Sequence, residues 1–222
     1  MIQETRPFIF NQCITIPRAT GMKAKNLKEL RGIIAVISQD SIYHHTYQYF
    51  LKGHILEYTN DFAHWAGESL EARALSEHLS IIDPYEFKDI ESLRRQLLDV
   101  IDGHMERFAE PRDAIAGNEF FFNEGFTVIF PAGMRANNLA EFLMAMKSLE
   151  GGAIYYHFYE ARARHAVDDF STWMLDTLKK KKLAGKIKSI DPFMLSREGV
   201  RAHIIGFVED ELRSEVEEGD TL

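Results

Sequence analysis

The sequence predicts a mainly α-helical protein with a small β component, an α+β fold of two tandem strand-plus-helices repeats related by approximate twofold symmetry. Two runs rich in Phe, Ile, Val and Thr, FIFNQCITI and FFFNEGFTVIF, are typical of β-strands. The segments after each run carry apolar residues at helical spacing, which indicates amphipathic helices. The two halves of the chain also match each other, which predicts a duplicated unit.

The internal similarity is clearest between GMKAKNLKEL and GMRANNLAEF, where Gly133 follows Gly21 by 112 positions. The strand motif FIFN is matched by FFFN, and the helix start DFAHW is matched by DFSTW. Because uncommon residues coincide in the same order, we interpret the chain as two copies of one unit that pack as a single globular body. The predicted boundaries are 1–105 for the first repeat, 106–117 for a linker, 118–213 for the second repeat and 214–222 for an acidic tail.

The elements of each repeat are predicted from local signals. After the first strand, Gly21 marks a turn, and Asn26 with Glu29 three residues later resembles a capping box at the start of a helix. We expect the two strand regions to pair, because a lone strand leaves both of its edges unpaired. Helix starts are predicted near Asn26, Asp40, Asn60 and Asp89, and near Asn138, Gly152, Asp168 and Ser196, with short helices through Leu75 and Leu79 and through Leu183 and Ile187.

Composition and charge restrict the classes of function. The chain has 222 residues, 45% of them apolar, so it can bury a sizeable core. Its 26 basic and 34 acidic residues give a net charge of -8, which argues against nucleic acid or a membrane surface as a partner. Cys13 is the only cysteine, and neither a signal-like nor a membrane-spanning segment is present, so we expect a cytoplasmic protein without an intrachain disulfide.

The loop between each strand and its first helix is a candidate anion site. Lys23 and Arg135 precede the two helix starts, and helix N-termini favour anions. The loop nevertheless has one glycine and no Ser or Thr after the lysine, so it is not a P-loop. Glu29 and Glu141 in the first turns already compensate the helix dipole. The pattern therefore favours a structural turn and leaves Lys23 and Arg135 as candidate anion-binding residues.

Two histidines on apolar helix faces have two interpretations. A histidine in such a position is usually a hydrogen-bonded core residue. Paired with an aspartate it is also a candidate general base. Neither Cys13 nor Ser41 is kept in the second half, which weakens the catalytic interpretation because a nucleophile is missing there. The candidate catalytic residues are His45, Asp61, His157 and Asp169, with Tyr43 and Tyr155 as alternative partners of the histidines.

No metal and no cofactor are predicted. His44, His54 and His64 are spaced by ten residues, which matches no zinc pattern. In the second repeat two arginines are close in sequence to tyrosines, and arginine clamps carboxylates and phosphates with two hydrogen bonds. The candidate ligand-binding or anion-binding residues are Lys23, Arg135, Tyr43, Tyr155, Arg162 and Arg164.

Four motifs occur in order along the chain: FIFNQC, TGMKA, SIYHHT and NDFAHW. They resemble the pattern of an uncharacterised bacterial domain-of-unknown-function family, Phe-x-Phe-x-x-Cys, Thr-Gly-x-Lys-Ala, Ser-Ile-Tyr-x-His-Thr and Asn-Asp-Phe-Ala-x-Trp. The resemblance covers nearly the whole chain and implies a soluble bacterial protein, without implying an activity. The second half departs from the pattern where Gly125 replaces Cys13, so a site that needs this cysteine twice is not expected.

These observations lead to two main hypotheses on function, besides a purely structural subunit of a larger assembly. The first is a non-catalytic, regulatory module that binds a small molecule or a protein in the groove between the two repeats. The alternative is an enzyme that acts on a small acidic or phosphorylated substrate with a His/Asp/Arg site at the repeat interface. Duplication of structural residues without an asymmetric catalytic set favours the binding module. The sequence leaves a homodimer open.

Overall fold

Two long antiparallel strands form the sheet of this protein, for which a computed structural model describes residues 6–51, 57–108, 112–192 and 194–219. Arg18 contacts Glu124, and Thr20 contacts Phe122, so residue numbers increase along one strand and decrease along its neighbour, as in an antiparallel pair. The strands are β1 (Phe8–Ala24) and β2 (Phe120–Ala136).

Helices follow each strand. After β1 come α1 (Leu27–Ile34), α2 (Gln39–His45), α3 (Asp61–Glu68), α4 (Arg73–Ser80) and α5 (Ile90–Arg107), with 3-10 segments at Tyr47–Leu51 and Pro84–Glu86. After β2 come α6 (Leu139–Ser148), α7 (Gly151–Ile154), a π-helical segment at Tyr155–Glu160, α8 (Ala161–His165), α9 (Asp169–Asp176), α10 (Lys181–Lys188) and α11 (Arg197–Gly219).

Polar side chains cap these helices at the positions that the sequence indicates. Asn26 Oδ1 accepts the Glu29 N–H at 2.9 Å, and Asn138 Oδ1 accepts the Glu141 N–H at 2.9 Å. Each bond satisfies one of the amides that a helix N-terminus leaves without a partner. The predicted caps are therefore confirmed here, and α3, α5, α9 and α11 are capped in the same way by Asn60, Asp89, Asp168 and Ser196.

Gly21 does not end its strand, contrary to the prediction of a strand-to-helix turn. β1 continues to Ala24, and the backbone φ of Gly21 is +80°. Gly133 has a φ of +74° at the matching place in β2. Only glycine adopts this left-handed region readily, and a positive φ inside a strand is typical of a β-bulge. The two glycines therefore bend the strands without ending them.

The chain divides into two compact units. The central unit is Thr15–Thr127, and the split unit combines Met1–Ile14 with Val128–Leu222. Each strand therefore belongs to both units. Residues 8–14 of β1 are part of the split unit, whereas residues 15–24 are part of the central unit.

The predicted fold class is wrong, because the compact units are not tandem strand-plus-helices repeats. Such repeats would each keep one whole strand, whereas each unit contains a part of β1 and a part of β2. A strand of 17 residues extends roughly 55 Å at about 3.3 Å per residue. This length exceeds what one small core covers, so the two parts of a strand join different cores. The predicted twofold symmetry is likewise not shown.

The predicted linker and tail carry regular structure where they are described. α5 runs to Arg107, and the Ala114 N–H donates to the Lys25 carbonyl at 2.6 Å. The described part of the expected 106–117 linker is thus helical at its start and bonded to the β1–α1 connection farther on. α11 runs to Gly219, so the described part of the expected acidic tail is helical.

Gly152 lies where α7 approaches β1 within the split unit. A Cβ at this position would lie 2.7 Å from the Cys13 carbonyl oxygen. We expect Gly152→Ala to lower the free energy of unfolding by about 1–3 kcal/mol, because backbone atoms must move apart. The matched control is Gly185→Ala in α10, where an added Cβ meets nothing within 4 Å. This control is expected to raise the free energy of unfolding by roughly 0.5–1 kcal/mol. If urea titrations showed the same change for both variants, the close approach of α7 to β1 would be contradicted.

Candidate functional site: two histidine–aspartate pairs

The central unit contains a hydrogen-bonded histidine between two helices and a strand. His45 ends α2, and its Nδ1 lies 2.6 Å from Oδ2 of Asp61, the first residue of α3. On the other side of the ring, Nε2 accepts the backbone N–H of Asn123 in β2 at 2.9 Å. The imidazole therefore joins the ends of two helices to the strand.

Aromatic side chains surround this histidine. The His45 ring lies 4.8 Å from the Phe120 ring and 5.6 Å from the Phe62 ring, measured between centroids. Phe62 and Phe120 stack on each other at 5.1 Å. Trp65 closes the cluster, and its Nε1–H donates to the carbonyl oxygen of Asn118 at 2.7 Å.

The split unit contains the same arrangement with different residues. His157 Nδ1 lies 2.8 Å from Asp169 Oδ2, and His157 Nε2 accepts the Asn11 N–H at 2.8 Å. Trp173 Nε1–H donates to the carbonyl oxygen of Arg6 at 2.9 Å. Phe8, Phe10, Phe142 and Phe170 complete the aromatic cluster.

The hydrogen bonds assign one tautomer to both histidines. Because Nε2 accepts from a backbone amide, the proton of the neutral ring is on Nδ1, from which it is donated to the aspartate. A histidine that acts as a general base needs a free acceptor nitrogen directed at the substrate. In both pairs that nitrogen is bonded to a strand, so the arrangement orients and holds the strand.

A shallow cleft of about 250 Å³ lies beside the central pair. Asp61, His64, Trp65, Glu119 and Phe121 are among the residues that line it. His45 and Asn123 line the cleft as well, and the Nε2 of His45 accepts the Asn123 N–H there. The cleft therefore offers no free imidazole nitrogen at His45.

Comparison with known proteins identifies the family of this chain. A family model matches residues 5–209. The chain belongs to DUF5752, a family of unknown function. The solved structure of OrfY from Thermoproteus tenax is similar, with a TM-score of 0.76 and 28% identity over 94% of this chain and 97% of that one. No curated protein matches the chain.

The comparison confirms the prediction of an uncharacterised domain family, whereas the bacterial origin stays a prediction. A DUF5752 assignment carries no activity, so the function of the site depends on its own geometry. Among the residues that the structure describes, no helix is long and apolar enough to cross a bilayer.

The predicted anion-binding lysine of this DUF5752 protein lies in β1 and not in the loop before α1. Lys23 Nζ is 3.4 Å from Glu119 Oε1, and its side chain is largely exposed. The amides at the start of α1 are already used, since the Lys25 N–H donates to Glu29 Oε2 and the Glu29 N–H donates to Asn26 Oδ1. Little of the helix terminus is left for an anion.

The matching residue of the split unit, Arg135, is exposed near the end of β2. The Asn137 N–H donates to Glu141 Oε2 at 2.8 Å, and Glu141 also accepts from the side chain of Asn137. These bonds, and then Arg135, hold the pKa of the Glu141 carboxyl below its ordinary value. The carboxylate therefore occupies the place that an anion would take.

The guanidinium of Arg162 is held by groups of its own unit. Its guanidinium donates to the carbonyl oxygens of Ile187, Lys188 and Ile190 at 3.3, 3.0 and 2.9 Å, which lie at and just beyond the end of α10. It also lies 3.3 Å from the buried carboxylate of Asp168 and 4.0 Å from the centroid of the Phe158 ring. These contacts use the donors that a substrate clamp requires.

The other ligand candidates are held by contacts within their own units. Arg164 is exposed, donates to the Glu160 carbonyl at 3.3 Å and lies over the Tyr156 ring. Tyr155 is buried, and its hydroxyl donates to Glu160 Oε2 at 3.1 Å. In the central unit, Tyr43 stacks on a neighbouring tyrosine ring at 4.8 Å.

No group of metal-binding residues occurs within the described ranges. His44 is buried, and its Nδ1 lies 2.8 Å from Gln48 Oε1. His64 stacks on Tyr58 with the ring centroids 4.9 Å apart. His54, the third histidine of the ten-residue spacing, lies outside the described residues.

The contacts of two matching strand positions, Cys13 and Gly125, could not be predicted from the sequence. In the central unit, a Cβ on Gly125 would overlap Gln48 Oε1, so glycine leaves room for the bonded His44 and Gln48 side chains. In the split unit, Cys13 occupies the matching strand position, and a Cβ on Gly152 would lie 2.7 Å from its backbone carbonyl oxygen. The sequence shows that Gly125 replaces Cys13 in the second strand. It does not show which residue lies against each of these two positions.

Proposed function

We propose that this DUF5752 protein is a non-catalytic protein-binding module that binds its partner through outward-facing apolar residues of β1 and β2. The observation that carries the proposal is the exposure of large apolar side chains along both strands. These side chains are between 43% and 54% exposed. In the central unit they are Ile16, Met22, Phe121 and Phe126, and in the split unit Ile9, Ile14, Val128 and Ile129.

The register of the sheet supports an apolar surface within the central unit. Arg18 lies beside Glu124, and continuing this pairing by two residues places Ile16 opposite Phe126. The Arg18 guanidinium lies 4.8 Å from the centroid of the Phe126 ring, so the side chains on this face contact each other. Scattered exposed apolar residues are ordinary, whereas neighbouring ones on one face mark interaction sites.

Charges on this part of the strands are paired, which supports an apolar partner surface. Arg18 is bonded to Glu124, and Lys23 lies 3.4 Å from Glu119 and 6.0 Å from the centroid of the Phe121 ring. Cations that already have carboxylate partners offer little to an anionic ligand. A protein surface rich in aliphatic and aromatic side chains is the complement.

The histidine pairs support the absence of catalysis. Each Nε2 accepts a strand amide, so neither pair has a nitrogen free to act as a general base. Arg162, one arginine of the predicted clamp, donates instead to carbonyl oxygens at and just beyond the end of α10. The alternative, an enzyme for an acidic or phosphorylated substrate, therefore lacks the base and one of the cations that it was predicted to use.

Parts of the sequence-based hypothesis stay predictions. They are the groove between the repeats, a small-molecule ligand, the homodimer and the cytoplasmic location. Internal duplication is supported by matched contacts, because His45 and His157 each bond an aspartate at a helix start and a strand asparagine amide.

Site-specific photo-crosslinking in the native cell tests the proposal. A photoreactive phenylalanine analogue at position 126 is expected to give a discrete crosslinked product with another protein. The same analogue at Val36 is the control, because this residue is 74% exposed, follows α1 and belongs to neither strand. Equal products at both positions, or none at position 126, would contradict the assignment of the surface.

A substitution on the same surface separates binding from folding. Ile16→Ser is expected to change the free energy of unfolding by less than about 0.5 kcal/mol, because the side chain is half exposed. The yield of the crosslinked product at position 126 should fall by roughly tenfold if the residue is a central contact. An unchanged yield would remove Ile16 from the binding surface.

A further inference from the structure

The start of each strand is held by the same set of helix side chains. In the split unit, His157 accepts the Asn11 N–H and Trp173 donates to the Arg6 carbonyl, on either side of Phe8 and Phe10. In the central unit, the contacts made by His45 and Trp65 lie on either side of FFF in the segment NEFFFN. A Phe-x-Phe-Asn segment is thus recognised by two aromatic anchors and two backbone hydrogen bonds.

The segment in the split unit is inserted among helices that are distant from it in sequence. Phe10 is fully buried, and its ring lies 5.6 Å from that of Phe142. The chain leaves this unit at Ile14 and re-enters it at Val128, with the whole central unit between them. No short connection therefore ties residues 6–14 to the helices that bind them.

The geometry points to a groove in the split unit that also accepts this segment in trans, and we propose that a second copy of the chain donates it. The partner copy then contributes Phe8 and Phe10 to an aromatic cluster that is incomplete without them. The segment gives up its hydrogen bonds and its aromatic packing when it leaves its own unit, and it forms the same interactions again in the partner. Exchange therefore costs little apart from the entropy of association. This inference goes beyond the proposed binding surface and does not depend on it.

Recognition in trans needs no group that the chain lacks. The two hydrogen bonds involve main-chain atoms of the segment, namely the Asn11 N–H and the Arg6 carbonyl, so they fix its path and register. The aromatic anchors supply selectivity, because phenylalanines two positions apart point to the same side of a strand. This combination is the one by which extended peptides are recognised in general.

Two full-length variants that complement each other provide the test. The segment variant carries Phe8→Ala and Phe10→Ala and keeps its groove, so it can only accept a segment. The groove variant carries Phe142→Ala and keeps its segment, so it can only donate one. Mixed at equal amounts and high micromolar concentration, they are expected to form a dimer of twice the 25.6 kDa chain mass, measured by light scattering after gel filtration. Each variant alone should remain at the monomer mass to a larger extent than the mixture. A mixture that is only the sum of its parts would overturn the proposal.

A second measurement covers the case in which the segment variant does not fold. A Phe10→Leu variant keeps an apolar side chain, and a synthetic peptide of residues 6–14 is added to it at millimolar concentration. In a Trp65→Phe background, where emission comes from Trp173, the peptide is expected to raise the unfolding midpoint by several degrees. A peptide with both phenylalanines replaced by alanine is the control. Equal midpoints with the two peptides would overturn the proposal.

Discussion

Phe10→Ala is expected to lower the free energy of unfolding of the split unit by about 3–5 kcal/mol, because it leaves a cavity in an aromatic cluster. Phe10 is fully buried and touches Phe8 and Phe142, with ring centroids 4.7 and 5.6 Å away. The prediction is specific to one unit. Although Phe10 lies in the strand that precedes α1, the central unit should keep its stability.

The two tryptophans make this specificity measurable, since Trp65 lies in the central unit and Trp173 in the split unit. In a Trp65→Phe background, emission during urea unfolding reports on the split unit, and in a Trp173→Phe background it reports on the central unit. Phe10→Ala should move the first transition and leave the second in place. Phe122→Ala, the matching change in β2, should do the opposite.

The control for both substitutions is Ile9→Ala, a neighbouring strand residue that is half exposed. It is expected to change stability by less than about 0.5 kcal/mol. If Phe10→Ala instead destabilised the unit that contains Trp65, the first half of β1 would belong with the helices that directly follow it. That result would restore the arrangement that the sequence predicted.

Arg162→Ala is the second substitution with a large expected effect, a loss of about 3–5 kcal/mol. The Asp168 side chain is 0% exposed and that of Arg162 is 11% exposed. Asp168 caps α9 by accepting the Ser171 N–H at 2.7 Å, so its carboxylate is held inside the unit. Removing the arginine leaves a buried carboxylate with no cation beside it.

A double variant identifies the cause of this loss. Asp168→Asn in the Arg162→Ala background keeps the helix cap and removes the buried charge, so it should recover a large part of the stability. The central unit shows that an asparagine serves here, because Asn60 caps α3 and donates to the Leu79 carbonyl at 2.9 Å. If the double variant were no more stable than Arg162→Ala alone, packing and not charge would be the reason.

The pH dependence has a definite sign. Burial raises the pKa of Asp168 above its ordinary value, so the folded state binds the proton more tightly than the unfolded state does. The ionised carboxylate therefore costs stability at neutral pH, and this cost falls as the pH is lowered through the folded-state pKa. Without Arg162 the cost is larger. Chemical denaturation at several pH values should show Arg162→Ala recovering relative to wild type on acidification, whereas the variant with Asp168→Asn should not.

Local features of the fold could be predicted from the sequence because they depend on neighbouring residues. Asn26 and Asn138 cap helices as expected, since a cap requires only a side chain three residues before a free amide. His45 is bonded to Asp61, which was one of its two expected partners. Asp61 lies at a helix start that the sequence indicated.

Features that depend on distant segments could not be predicted in the same way. Nothing in FIFNQCITI shows that its first residues join helices more than a hundred positions later, and the Asn11–His157 bond spans 146 residues. The partner of each Nε2 is a main-chain amide, which carries no sequence signal. The role of Arg162 was missed for the same reason, because three of its acceptors are carbonyl oxygens.

The split unit is made of two segments that are far apart in the sequence. This affects the order in which the chain acquires structure during synthesis. Residues 15–127 are sufficient in sequence to complete the central unit, so this unit can fold while the ribosome is still making the rest. Phe8 and Phe10 have to wait, because Trp173 and His157 have not yet been made. Until then an apolar segment is exposed on a nascent chain, which is the condition under which chaperones bind.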